Sequence, residues 1–231
     1  MKVLVYCICQ QDGDGPSHGP GIRVVPGHGL TAVVSELEGP TTAPSVSSLL
    51  AYERVVEAIH ARQTVIPLRY GCVMESEEQI VQLLEDHRRE YEALLGRLRG
   101  MTEMGIRLLW PASAVPPPGL AQSPGAAYLA TLRNRYNSQE TLAPEEVALA
   151  DRIVALLAGW STEQRRELSS SRQGRLLSLY FLTPKSGAED FRRMVRTIST
   201  PRGVKLLLSG PWPPYNFVCP PPDSMECKLW N

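Results

Sequence analysis

The sequence predicts a two-domain α+β protein: a mixed α/β N-terminal domain over residues 1–104, a ferredoxin-like C-terminal domain over 105–209 and an extended tail over 210–231. Three observations carry this reading. Strand-like runs open the chain before any helical period appears. The second half orders its segments β-α-β-β-α-β, the signature of a ferredoxin-like sandwich. The end holds Gly210-Pro211-Trp212-Pro213-Pro214-Tyr215-Asn216-Phe217, where three prolines and three aromatics exclude ordinary helix or central strand. Such a segment is extended chain whose rings need a surface to cover.

Val3 to Ile8 is apolar and rich in β-formers, and Gln10 to Gly21 is a loop of Gly, Pro, Asp and Ser. Ile22 to Val25 and Leu30 to Leu37 form a hairpin around Pro26-Gly27-His28-Gly29. Leu49, Tyr52, Val56 and Ile59 then recur at helical spacing, and Thr64 to Tyr70 reads as a strand. Ser76 with Gln79 has the form of a capping box, and Glu75, Glu77 and Glu78 complement a helix start. From there Ile80, Leu84, Tyr91, Leu94 and Leu98 line one face of a long helix that stops at Gly100. Glu85 and Arg89 fall at i,i+4 spacing on its solvated side.

Gly105 to Trp110 is the next strand, ended by Pro111, and Pro116-Pro117-Pro118-Gly119 marks a loop. Helices are expected over Ala126 to Tyr136, Pro144 to Leu157 and Ala188 to Ile198, the first two forming one interrupted layer. Strands are expected over Gln164 to Ser169, Leu176 to Leu182 and Val204 to Leu208.

Composition narrows the function. Acidic and basic residues number 24 each, which speaks against a nucleic-acid binder working by bulk phosphate neutralisation and against a polybasic membrane-surface protein. No apolar run approaches the roughly 20 residues that span a bilayer, so a soluble protein is expected. The odd count of cysteines, Cys7, Cys9, Cys72, Cys219 and Cys227, is no disulfide framework and fits a reducing cytoplasm.

The search for chemistry finds no catalytic, cofactor-binding or metal-binding set. Cys7 and Cys9 share one face of a strand without a second ligand pair, and read as buried structural thiols. His18, His28, His60 and His87 have no Cys or acid at ligand spacing. Gly13, Gly15, Gly19 and Gly21 match neither a dinucleotide fingerprint nor a P-loop. The serines lie in no nucleophile-elbow motif.

Two features remain. Arg69 sits between Leu68 and Tyr70, which pack inward if the strand alternates. It reads either as a surface or salt-bridged arginine, or as one fixed between domains or at a partner interface. Trp212, Tyr215 and Phe217 read either as a clasp closing a hydrophobic seam between the domains or as an exposed surface that docks another protein.

Taken together, Thr64-Val65-Ile66-Pro67-Leu68-Arg69-Tyr70-Gly71, Gly125-Ala126-Ala127-Tyr128-Leu129 and Gly210-Pro211-Trp212-Pro213-Pro214-Tyr215-Asn216-Phe217 resemble elements of the gas vesicle protein F/L family. The likeness covers nearly the whole chain. Tyr70-Gly71-Cys72 departs from the Phe-Gly-Thr frequent in members, and Tyr52 stands near where many carry histidine. The resemblance implies a non-enzymatic structural or assembly protein without cofactor, cytoplasmic and associated with the gas vesicle. It implies the hydrophobic main shell protein as partner, with other accessory proteins, and neither nucleic acid nor membrane. Pro67, Arg69, Gly71, Gly210, Pro211, Trp212, Pro213, Pro214, Tyr215 and Phe217 are the expected structural or partner-binding residues. The rival readings are a small-molecule-sensing ferredoxin-like regulator, by fold analogy, and RNA binding on an open sheet face, which neutral charge disfavours.

Overall fold

A computed structural model describes residues 2–11, 21–37, 45–111, 142–171 and 174–218. The chain divides into two compact units, Met1–Glu103 with Pro211–Asn231, and Met104–Gly210. It is mixed α+β, with two sheets and, among the described residues, five α-helices.

In the first unit β1 (Val3–Gln10) is central because its apolar run is continuous: seven of its eight residues are buried. The sheet order is β2 (Ile22–Gly27), β3 (Leu30–Glu36), β1, β4 (Val65–Pro67), with β5 (Val73–Met74) also paired to β1, all antiparallel. The β2–β3 turn is tighter than the sequence suggests. Pro26 pairs with Thr31 and Gly27 with Leu30, which leaves His28 and Gly29 as a two-residue loop with φ of 54° and 82°. Two left-handed residues match the twist of a hairpin. Pro26 is tolerated because β2 is an edge strand.

α1 (Val46–His60) starts at Ser45, whose Oγ accepts from the Ser48 N–H at 3.1 Å while Ser48 Oγ accepts from the Ser45 N–H at 3.0 Å. Its buried stripe is Tyr52, Val56, Ile59 and His60. Leu49, expected in that stripe, is 38% exposed, since packing begins a turn later where Tyr52 meets β1.

The strand expected over Thr64 to Tyr70 is only Val65–Pro67. Leu68 still donates to the Tyr6 carbonyl at 2.9 Å, but Gly71 at φ 95° and the Cys72 N–H to Arg69 carbonyl bond at 3.3 Å turn the chain into β5.

The single long helix is two, α2 (Glu77–Asp86) and α3 (Arg88–Leu98), broken at His87 with φ −107° and ψ 16°. Leu95 rather than Leu94 joins Ile80, Leu84, Tyr91 and Leu98 in the core. The capping box is displaced: Gln79 Oε1 accepts from Glu75 N–H at 3.0 Å, and Ser76 makes no side-chain cap bond. Ser76 instead hydrogen-bonds Glu78, holding that exposed carboxyl below its ordinary value. The break also redirects the surface pairs. Glu85 lies 3.6 Å from His28 and Arg88 bonds Glu92 at 2.8 Å, in place of the expected Glu85–Arg89 pair. Gly100, at φ 70°, follows the helix end as expected.

The second unit holds most of β6 (Met101–Pro111), then α4 (Pro144–Leu157), β7 (Glu163–Ser171), β8 (Gly174–Pro184), α5 (Ala188–Val195) and most of β9 (Lys205–Trp212). Helix α5 ends three residues before the expected Ile198. The expected helix Ala126 to Tyr136 and the Gly125 to Leu129 element lie outside the described residues. The sheet order is β7-β8-β6-β9. Strand alternation sends Met104, Ile106 and Leu108 into a core with Leu149, Ile153, Phe181 and Phe191, while Arg107 is exposed.

Glu146 is buried at the start of α4, where its carboxylate accepts from Ala143 N–H at 2.8 Å and from Arg175 Nη2 at 2.5 Å. Gly105 of β6 has no room for a side chain beneath Ser209 of β9: a Cβ placed there meets Ser209 Oγ at 2.6 Å. Gly105→Val should therefore destabilise by about 1–3 kcal/mol through overpacking. Urea unfolding measures this, and Ser209→Ala should recover part of the loss in Gly105→Ala. A neutral Gly105→Val would refute the close approach.

Candidate partner-binding surface

The tail is not free chain. From Pro211 on the described residues belong to the first unit, where Pro213, Pro214, Phe217 and Val218 are buried. Tyr215–Phe217 forms a 3-10 turn, closed by Tyr215 N–H to Pro213 O at 2.8 Å and Phe217 N–H to Pro214 O at 3.0 Å. This corrects the expectation of purely extended chain. The prolines have no N–H to give, but their carbonyls accept, and that is enough for one tight turn.

Polar clamps hold this turn from three elements. At the start of β6, Thr102 Oγ1 donates to Trp212 O at 2.9 Å. The buried Glu103 carboxylate takes both Asn216 donors, the backbone N–H at 2.8 Å and Nδ2 at 2.7 Å. From α3, the Arg97 guanidinium donates to the Phe217 carbonyl. From α1, Glu53 accepts from Tyr215 OH at 3.3 Å. Burial raises the Glu53 carboxyl above its usual value, and the tyrosine bond opposes that shift. Sequence reasoning missed Thr102, Glu103, Arg97 and Glu53. The only local signal was Glu103 itself, a charged residue between Thr102 and Met104 at the mouth of a β-run.

The tail meets the Thr64 to Gly71 motif at one hydrophobic cluster of Leu4, Tyr6, Cys7, Cys9, Tyr52 and Val65, against which Tyr70 and Tyr215 pack. Tyr52 lies at its centre. Its ring stacks on Tyr6 at 4.8 Å and meets Tyr70 edge-on at 5.4 Å. Its hydroxyl lies 2.8 Å from Leu68 O, 3.0 Å from Val5 O and 3.1 Å from Tyr6 O, so one proton serves three carbonyls in turn. Burial first, then neighbouring Tyr215, Cys7, Cys72 and Glu53, drives the Tyr52 and keeps it protonated far above the ordinary tyrosine range. Cys7 and Cys9 are buried as expected, and burial raises the Cys7 thiol.

The residues singled out from sequence therefore divide. Pro67 is buried opposite Cys7, and Gly71 supplies a left-handed turn. Pro213, Pro214, Tyr215 and Phe217 build the clasp. Gly210, at φ 99°, belongs to the second unit, where its carbonyl accepts from Arg192 Nη2 at 2.5 Å. Arg69, Pro211 and Trp212 are exposed, Trp212 by 40%. Cys219 and Cys227 lie outside the described residues. Among the described residues no group of three His, Cys, Asp or Glu side chains could hold a metal ion, and no helix is long and apolar enough to cross a membrane.

A family model described as gas vesicle synthesis protein GvpL/GvpF matches residues 2–219. The chain belongs to that family. Among GvpL/GvpF relatives, gas vesicle protein L1 of Halobacterium salinarum is 25% identical over 226 residues, covering 85% of this chain and 80% of that protein. Gas vesicle protein L of a Streptomyces species is 25% identical, over 73% and 67% of the two chains. Gas vesicle protein F of a Nostoc species reaches 33% identity, but over 37% of this chain and 36% of its own length. The fold is similar to crystal structures of GvpF from Anabaena, with TM-score 0.71, 20% identity and coverage of 94% and 96%. It is also similar to that from Microcystis aeruginosa, with TM-score 0.65, 17% identity and coverage of 94% and 99%.

Proposed function

We propose that this GvpL/GvpF family member is a non-enzymatic accessory protein that binds the main gas vesicle shell protein and supports vesicle assembly in the cytoplasm, alongside other accessory proteins. The observation that carries the reading is the division just described. The two family-like motifs meet at one cluster, Val65 and Tyr70 from the first and Tyr215 from the second, and both leave residues exposed: Arg69, Pro211 and Trp212. An exposed Trp and Arg are the residue types that anchor protein interfaces, and a very hydrophobic subunit needs its apolar surface covered until it enters a wall. A ferredoxin-like arrangement of Met104–Gly210 is part of the proposal, supported by the order β7-β8-β6-β9 with α4 and α5 against one core.

The test is co-purification of tagged protein with co-expressed shell protein. Trp212→Ala is expected to weaken capture by about tenfold or more, with Arg69→Ala weaker in effect, and both folded by circular dichroism. Unchanged capture in both variants would remove this surface from the proposal, and no capture by the wild type would sink shell binding itself.

One observation favours the second reading, a small-molecule sensor. A cleft of about 310 Å³ in the second unit is lined by Gly159, Trp160, Ser161, Thr162, Pro184, Ser186, Gly187 and Asp190. Thermal-shift screening with nucleotides and amino acids tests it, and no stabilising compound leaves the cleft without a ligand.

A further inference from the structure

The net charge of zero hides a partition. The unit Met1–Glu103 with Pro211–Asn231 carries 16 acidic against 10 basic residues, a balance of −6. Met104–Gly210 carries 8 acidic against 14 basic, a balance of +6. Each imbalance is concentrated. Residues 75–92, which span α2, the His87 break and the start of α3, hold seven acids against Arg88 and Arg89. Residues 191–218 hold five basic residues and no acid at all.

The side chains reach solvent on both sides. Glu78, Glu85 and Asp86 are exposed on α2. On the second unit Arg196, Arg202 and Lys205 are exposed between the end of α5 and the start of β9, and none of the three has a carboxylate partner among the described residues. The loop that carries them is tethered, because Arg152 of α4 donates to Ser199 O at 3.0 Å. The acidic residues of α5 are already engaged: Glu189 pairs with Arg192 and Asp190 with Arg193.

We infer that this protein associates with a second copy of itself head to tail, the Arg196–Arg202–Lys205 surface of one chain docking on the acidic α2 surface of the next. Patches of opposite charge are complementary to each other and not to themselves, so the contact is heterologous and grows into rings or open chains. Because both patches are solvated, the attraction is long-ranged and screened by salt. This inference does not depend on shell binding.

Sedimentation velocity on the full chain is the test, at about 20 mM and about 500 mM sodium chloride, where screening lengths differ roughly fivefold. The weight-average mass should rise with protein concentration to at least twice the monomer at low salt and return to the monomer at high salt. The triple variants Arg196→Glu/Arg202→Glu/Lys205→Glu and Glu78→Lys/Glu85→Lys/Asp86→Lys should each be monomeric alone and should associate when mixed. A wild type that is monomeric at low salt, or that associates equally at both salts, overturns the inference without reference to any variant. So does association that survives either reversal, or two monomeric variants that do not recombine.

Discussion

Phe217→Ala is expected to cost about 3–5 kcal/mol of stability, the usual range for deleting a fully buried phenylalanine. Phe217 has no exposed surface, and its carbonyl is the acceptor for Arg97. The substitution therefore empties a core site in the very turn that Glu103, Thr102 and Arg97 hold in place. Against a typical domain stability of about 5–15 kcal/mol, this is enough to populate open forms. Urea unfolding followed by circular dichroism gives the loss, and limited proteolysis should cut the variant between Trp212 and Val218 where the wild type resists. A loss below about 1 kcal/mol would mean that the tail contributes little to the first unit.

Arg175→Ala should cost about 3 kcal/mol, because it leaves the Glu146 carboxylate buried with only the Ala143 N–H as partner. Arg175 keeps 28% of its side-chain surface in solvent against 3% for Glu146, which puts the cost at the lower end for a broken buried pair. The decisive comparison is the double replacement Glu146→Met/Arg175→Met. Removing both charges should restore stability to within about 1 kcal/mol of wild type, since a buried ion pair and a well-packed apolar pair are near equivalent. If Arg175→Ala is neutral, the carboxylate finds water and the pair is not a structural lock.

What the sequence revealed and what it hid have physical causes. The central β1 was legible because a run such as Val3 to Cys9 has no polar face to give to water. The β2–β3 hairpin was legible because the His28-Gly29 step accepts left-handed backbone. Residue 87 hid the break between α2 and α3, since histidine neither caps nor breaks a helix by its own chemistry; the backbone dihedrals, not the composition, mark the stop. The shortened β4 could have been anticipated from Pro67, which cannot continue a ladder on its N–H side. Half of the site was visible as the Pro-Trp-Pro-Pro-Tyr string, because its composition fits no regular element. The other half was not. Glu103 meets Asn216 across 113 residues of chain, and no local pattern announces a partner that far away.

That separation bears on how the protein is made. The first unit contains Met1–Glu103 and Pro211–Asn231, so its closing turn leaves the ribosome only after all of Met104–Gly210 has been synthesised. A nascent chain therefore holds β1 to α3 with the pocket for Phe217 vacant, while the inserted unit already has every strand and helix of its own core. A chain interrupted between Gly210 and Tyr215 has the whole of its second unit and lacks the closing turn of its first. The Tyr215–Phe217 turn thus makes completion of the first unit wait on synthesis of the second.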